Sequence, residues 1–204
     1  MVKYTLCYFP VRGFADGCRM ILHYADADWE DHHVTQAKWA EHKDKTPFGH
    51  LPVLQTADGN KYGEATAIAR YLGVKFDMMG ATPEENLYID AVVDAVKDLM
   101  MTWIRPAMLM QDPEAKKAAL EEKRIKFPEA FGFIEKQLAK KSGPFLGGTK
   151  VTWGDLVIGS IWNIMSKKLG PDFSATPNIK AHHEATIALP KVISFYEKTR
   201  EVPF

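Results

Sequence analysis

The chain has 204 residues, enough for one large domain or two small ones sharing an interface. Its 26 basic side chains match 26 acidic ones, which excludes the electrostatic footprint of a nucleic-acid binder or a membrane-surface protein. With no apolar run of ~18 residues, no cleavable leader and no CxxC or metal-ligand spacing around Cys7 and Cys18, the expectation is a cytoplasmic protein without a metal or membrane partner.

Val2 to Phe9 predicts a strand of mixed apolar and aromatic character, stopped by Pro10 and Gly13. Cys18, Ile21, Leu22 and Ala25 then keep the i, i+3, i+4, i+7 spacing of one helix face. Trp29 to Val34 predicts a second strand. In the polar stretch Thr35 to Lys45, Trp39 and Lys43 share a face if the segment is helical. Leu51-Pro52 leads into Val53 and Leu54, an Asp58-Gly59 hairpin turn, another short strand, and a Gly63-Glu64-Ala65 step into a helix. The order β-α-β, short irregular helix, β-β-α makes a compact four-stranded α/β unit with helices packed on its sheet.

The stretch Thr46 to Leu72 carries the chemistry. An X-Pro bond in a tight turn is where a cis peptide is expected, and it leaves the backbone groups of Leu51 free to hold an extended peptide. The helix starting near Ala65 aims its free N–H groups and positive dipole end at whatever lies beside the strands. A small anionic peptide suits both ends of this unit; an ordinary hairpin followed by a helix is the alternative reading.

Met78 to Pro83 breaks the pattern and reads as a linker, after which the chain is almost wholly helical. Leu87, Ala91, Val92, Ala95, Val96 and Leu99 form an apolar stripe that Pro106 interrupts. Ala115 to Lys141 predicts one long charged helix with a break or kink at Pro128. Thr152-Trp153-Gly154-Asp155 reads as a capping box opening a buried helix, and Pro177 and Pro190 punctuate two last short helices. His32-His33 and His182-His183 invite a metal reading, but adjacent side chains diverge on a strand or helix, so no metal is expected.

KYTLCYFPVRG at the start, TQAKW around Trp39, PFGHLPVL, AIARYL, VVDAVKDLM and VTWGDL occur in an order and spacing that resembles a glutathione transferase. The similarity covers the whole chain and is greatest to the sigma class, which includes the haematopoietic prostaglandin D synthases and invertebrate relatives. The resemblance implies a thioredoxin-like N-terminal domain (1–77), an all-α C-terminal domain (84–204), a homodimer, and glutathione as ligand.

Glutathione chemistry needs a thiolate, and a free thiol sits near pKa 8.5. One hydrogen bond to a charged acceptor, worth roughly 1.5–3 kcal/mol, lowers that by roughly one to two units. By the resemblance the donor is Tyr8, at the end of the first strand. Cys7 next door is expected on the opposite sheet face, in the core. The resemblance further implies Trp39 and Lys43 at the glycyl carboxylate, Leu51 and Pro52 at the cysteinyl backbone, and Glu64 and Ala65 at the γ-glutamyl end. Asp98 resembles the residue that reaches the same end across the dimer in that family. An acceptor pocket for a small apolar electrophile is expected between the domains, lined by Val11, Phe14, Met101, Trp103, Arg105, Val157 and Ile161, with Met100, Met108 and Met110 near the cleft.

Two departures from the sigma pattern stand out. Glu64-Ala65 replaces the usual Gln-Ser, removing a hydroxyl donor and a helix cap worth roughly 1 kcal/mol. Phe14 stands where an arginine commonly follows Arg12-Gly13. Weaker glutathione affinity and turnover are therefore expected. The alternatives are a related ligand-carrying or structural, crystallin-like protein and, third, a thiol-disulfide oxidoreductase, which the missing CxxC disfavours.

Overall fold

β1 (Tyr4–Tyr8) alternates between buried Tyr4, Leu6 and Tyr8 and half-buried Thr5 and Cys7, the period-two pattern of a strand with one covered face. In the computed structural model, which describes residues 3–199, β1 runs parallel to β2 (Trp29–His33), Tyr8 opposite His33. It is antiparallel to β3 (Val53–Thr56), with Cys7 opposite Val53, and β3 forms a hairpin with β4 (Lys61–Gly63). The sheet order is β2-β1-β3-β4. A parallel pair needs a crossover, and α1 (Asp16–Tyr24) supplies it, burying Cys18, Met20, Ile21 and Leu22. α2 (Trp39–Lys43) is the short helix of the polar stretch, and α3 (Ala65–Lys75) follows β4. The first two strands end one residue earlier than expected, at Tyr8 and His33; Val2 lies outside the described residues.

α4 (Pro83–Leu99) continues through a π-helical turn, Met100–Ile104, into α5 (Arg105–Met108). Pro106 has no N–H for the Thr102 carbonyl, yet the helical path does not stop there; the ladder widens to i→i+5 ahead of it. The break expected in the charged stretch is present, three residues after Pro128: α6 (Pro113–Ala130) and α7 (Gly132–Leu138) part at Phe131. α8 (Trp153–Lys168) is the buried helix. Its capping-box acid, Asp155, accepts from the Thr152 N–H and hydroxyl at 2.7 Å each, takes the Leu146 N–H at 2.7 Å, and pairs with His182 at 2.9 Å. α9 (Pro177–Ile187) and α10 (Pro190–Lys198) both open with proline, as expected.

Both halves contribute to one apolar core. The stretch read as a linker is docked: Met78 is buried and its carbonyl accepts the Trp153 N–H at 2.9 Å. α8 packs on α1 and α3. A Cβ on Gly17 would come within 2.8 Å of the Val157 side chain and 3.0 Å of its Cα, so glycine is what lets α1 and α8 approach this closely. No described helix is long and apolar enough to cross a membrane.

Candidate active site

Tyr8 ends β1 with its ring buried. Burial pushes its phenol above the ordinary tyrosine range; the Phe14 N–H at the phenol oxygen and the charge of Arg19 oppose the rise, Asp16 adds to it, and Arg105 opposes it. The phenol is therefore protonated at neutral pH. With its oxygen engaged by Phe14, its proton is available to an acceptor in the cleft. A Cβ on Gly13 would stand 2.8 Å from the Tyr8 hydroxyl, so the loop passes this close only as glycine.

Buried arginines hold that loop. Arg19 donates to the carbonyls of Phe9 (3.2 Å) and Val11 (3.0 Å), pairs with Asp16 (2.9 Å) and Asp31 (3.0 Å), and lies 5.5 Å from the Tyr8 ring centre. Arg12 pairs with Asp16 at 3.2 Å, donates to the Thr199 carbonyl at 2.7 Å, and lies over the Phe195 and Tyr196 rings. The turn after Tyr8 is thereby tied to the end of α10.

A cleft of about 490 Å³ opens from Tyr8. Trp39, Lys43, Leu51, Pro52, Glu64 and Ala65 all line it, so seven of the eight residues assigned to glutathione share one cavity with Tyr8 among them. Trp39 packs on Phe9 with ring centres 5.6 Å apart. The Leu51-Pro52 bond is cis, and neither backbone group of Leu51 has a hydrogen-bond partner among the described residues. Glu64 adopts φ 70°, a left-handed turn from β4 into α3, and α3 has no side-chain cap, leaving its first N–H groups open to the cleft. The Glu64 carboxylate pairs with His50 at 2.7 Å. Asp98, the eighth, is exposed near the end of α4 and is not among the residues lining this cleft.

A second, apolar compartment of about 170 Å³ adjoins the first, between the sheet half and α8. Phe14, Arg105, Val157 and Ile161 line it as expected; Met100, Met108, Leu109 and Ile164 join them. Met101 lines the larger cleft instead. Val11 and Trp103, expected here, line neither. Val11 faces solvent from a loop held by its carbonyl, and Trp103 leaves the π turn on the far side, 5.9 Å from Phe131 and beneath the Lys123 ammonium. Met110 is exposed and outside both. Lys97 and Thr66 were not anticipated; the Lys97 ammonium donates to the Thr66 hydroxyl at 3.1 Å where α3 begins.

Cys18 also lines the apolar compartment, but burial pushes its thiol up to about 12 and it donates to the Ala65 carbonyl at 3.4 Å. Cys7 sits on the opposite sheet face as expected, but not in the core. It is partly exposed in a hollow with His32, Lys61 and, from α2, His42. Burial raises its thiol as well, against the Lys61 charge. Burial thus holds both thiols toward their protonated form, which disfavours the oxidoreductase reading.

Family comparisons agree with this geometry. Residues 6–81 match the glutathione S-transferase N-terminal domain and 97–199 the C-terminal domain. The chain belongs to the glutathione S-transferase family. The transferase is 33% identical over 212 residues to glutathione S-transferase 1 of Ascaris suum, all of both chains being covered. It is 32% identical to human hematopoietic prostaglandin D synthase, covering 100% of this chain and 93% of that one. A crystal structure of a monomeric glutathione S-transferase from Necator americanus superposes with TM-score 0.81 at 31% identity, covering 97% of each chain. The transferase thus has the four-stranded thioredoxin-like half and the helical half that its motifs implied.

Proposed function

We propose that this transferase binds glutathione along the 490 Å³ cleft and activates its thiol with Tyr8, for conjugation or isomerisation of small apolar electrophiles held in the adjoining compartment. The observation that carries the reading is the position of Tyr8 on the wall common to both compartments, its phenol protonated and donating to no acceptor among the described residues. Glutathione supplies the nucleophilic thiol. Trp39 and Lys43 offer an indole N–H and an ammonium to its glycyl carboxylate at one end. Leu51, with both backbone groups unpartnered, holds the cysteinyl residue extended. At the other end Glu64 offers a counter-charge to the γ-glutamyl ammonium, and the uncapped start of α3 receives the carboxylate. The Tyr8 hydroxyl then donates to the thiolate and keeps it ionised near neutral pH.

Tyr8→Phe removes only this donor. Conjugation of an aromatic chloride should fall by about 10–100-fold in kcat/KM, matching the roughly 1.5–3 kcal/mol of a charge-assisted hydrogen bond. A variant with wild-type turnover would overturn the reading.

The working assembly is a cytoplasmic homodimer in which Asp98 of the second copy approaches the γ-glutamyl end. Asp98 is exposed and outside the lining of its own cleft, and the exposed Phe48, laid across Gly63 and stacked on His50, offers an apolar contact for a partner. Sedimentation of the purified protein decides this, a monomer at all concentrations contradicting it.

A further inference from the structure

The two compartments share a wall made of five residues: Tyr8, Phe14, Ala65, Lys97 and Arg105. The reacting sulfur must lie at this wall, because it has to reach the Tyr8 hydroxyl and also meet an electrophile on the apolar side. Two cations are present there and no carboxylate. Lys97 is engaged with Thr66 at 3.1 Å. Arg105 is exposed and its guanidinium has no hydrogen-bond or ion-pair partner among the described residues. The other charged groups nearby are arranged otherwise. Arg12 and Arg19 are buried against Asp16, Glu64 is paired with His50, and Lys43 lines only the larger cleft.

We propose that Arg105 is a second thiolate-stabilising group, acting on the sulfur from the helical half beside the Tyr8 hydroxyl. This rests on the reading of Tyr8 and glutathione above. The π turn explains how the residue arrives there. It carries Trp103 outward onto Phe131 and leaves Arg105, at the start of α5, on the cleft side. A guanidinium stays charged at every relevant pH and presents several N–H donors, so it favours an anion within reach whatever the state of the solution. Its influence already registers at the phenol oxygen, where the Arg105 charge draws the Tyr8 proton affinity down. With Phe14 offering no charge on the loop side, Arg105 is the unengaged cation of the shared wall.

The test is a thiolate titration by ultraviolet absorbance of the glutathione-saturated protein, with Arg105→Lys, Arg105→Leu, Arg105→Glu and Tyr8→Phe. Binding of S-methylglutathione, which has no ionisable thiol, is measured alongside by calorimetry. Removing a nearby opposite charge should raise the bound thiol's pKa by about one unit in Arg105→Leu. Arg105→Glu should raise it further and Arg105→Lys should stay near wild type, while S-methylglutathione affinity is unchanged throughout. Wild-type thiol pKa in Arg105→Leu and Arg105→Glu, beside a raised value in Tyr8→Phe, would overturn the Arg105 proposal and leave the Tyr8 reading standing. Weaker S-methylglutathione binding with an unmoved thiol pKa would overturn it too, making Arg105 a ligand clamp. A wild-type titration matching free glutathione would overturn both.

Discussion

Gly13→Ala isolates the geometry of Tyr8 from its chemistry. The added methyl would stand 2.8 Å from the phenol oxygen and 3.4 Å from the nearest ring carbon, so the oxygen must retreat by about 0.6 Å to regain ordinary contact. The ring has little room to do so: it is buried and Arg19 lies over it. Gly13 is not in the left-handed region, so backbone strain does not contribute. Misplacing a reacting group by ~1 Å costs ~100-fold, and a shift of about half that predicts roughly a tenfold loss in kcat/KM, about 1.4 kcal/mol. The assay is steady-state conjugation with a fixed electrophile, set beside calorimetric binding of S-methylglutathione. Binding should hold, because Gly13 is not among the residues lining the 490 Å³ cleft. Wild-type kcat/KM in Gly13→Ala would refute the claim that the hydroxyl's position governs the rate.

Ala65→Ser restores a cap and a donor at the start of α3 and should tighten glutathione binding by about 1 kcal/mol, roughly fivefold by calorimetry; unchanged affinity would mean that the γ-glutamyl carboxylate is not held there. Asp155→Ala leaves the buried N–H groups of Leu146 and Thr152 and the His182 ring without their acceptor, so urea unfolding should show a loss of about 3–5 kcal/mol. Burial pushes the Tyr88 phenol up to about 12 and raises Tyr8 and Tyr196 also. The native protein thus keeps protons that the unfolded chain releases above about pH 10, and stability is full below that pH and falls as pH rises through the native values. The share of the half-exposed Tyr88, discounted for screening, is about 1 kcal/mol, read as a lower urea midpoint at about pH 11 than at about pH 9.

Local chemistry explains what could be read in advance. β1 shows its face by alternation, the Leu51-Pro52 turn and the Glu64-Ala65 step are set within a few residues, and Thr152 and Asp155 cap one helix turn. The Leu51-Pro52 turn and the Glu64-Ala65 step lie on the cleft that Trp39 and Lys43 also line, and it was the family resemblance that joined these residues into one expected site. The apolar compartment was less legible. Its lining depends on a π turn that shifts the phase of the side chains around it, putting Trp103 outside both compartments and Met101 on the larger cleft, and no periodicity of 3.6 foresees an extra residue in a turn. The tie from Arg12 to Thr199 joins residues 187 apart and has no local signature. Strand alternation gives the face of Cys7 but not its burial, because how closely the α2 segment packs over that face is set by the whole half-molecule.

The most direct measurement is the pH titration of thiolate absorbance in the glutathione-saturated wild type and in Tyr8→Phe. The bound thiol should ionise roughly one to two units below free glutathione in the wild type, and Tyr8→Phe should return most of that shift. Equal titrations in the two proteins would contradict the assignment of Tyr8 as the activating group.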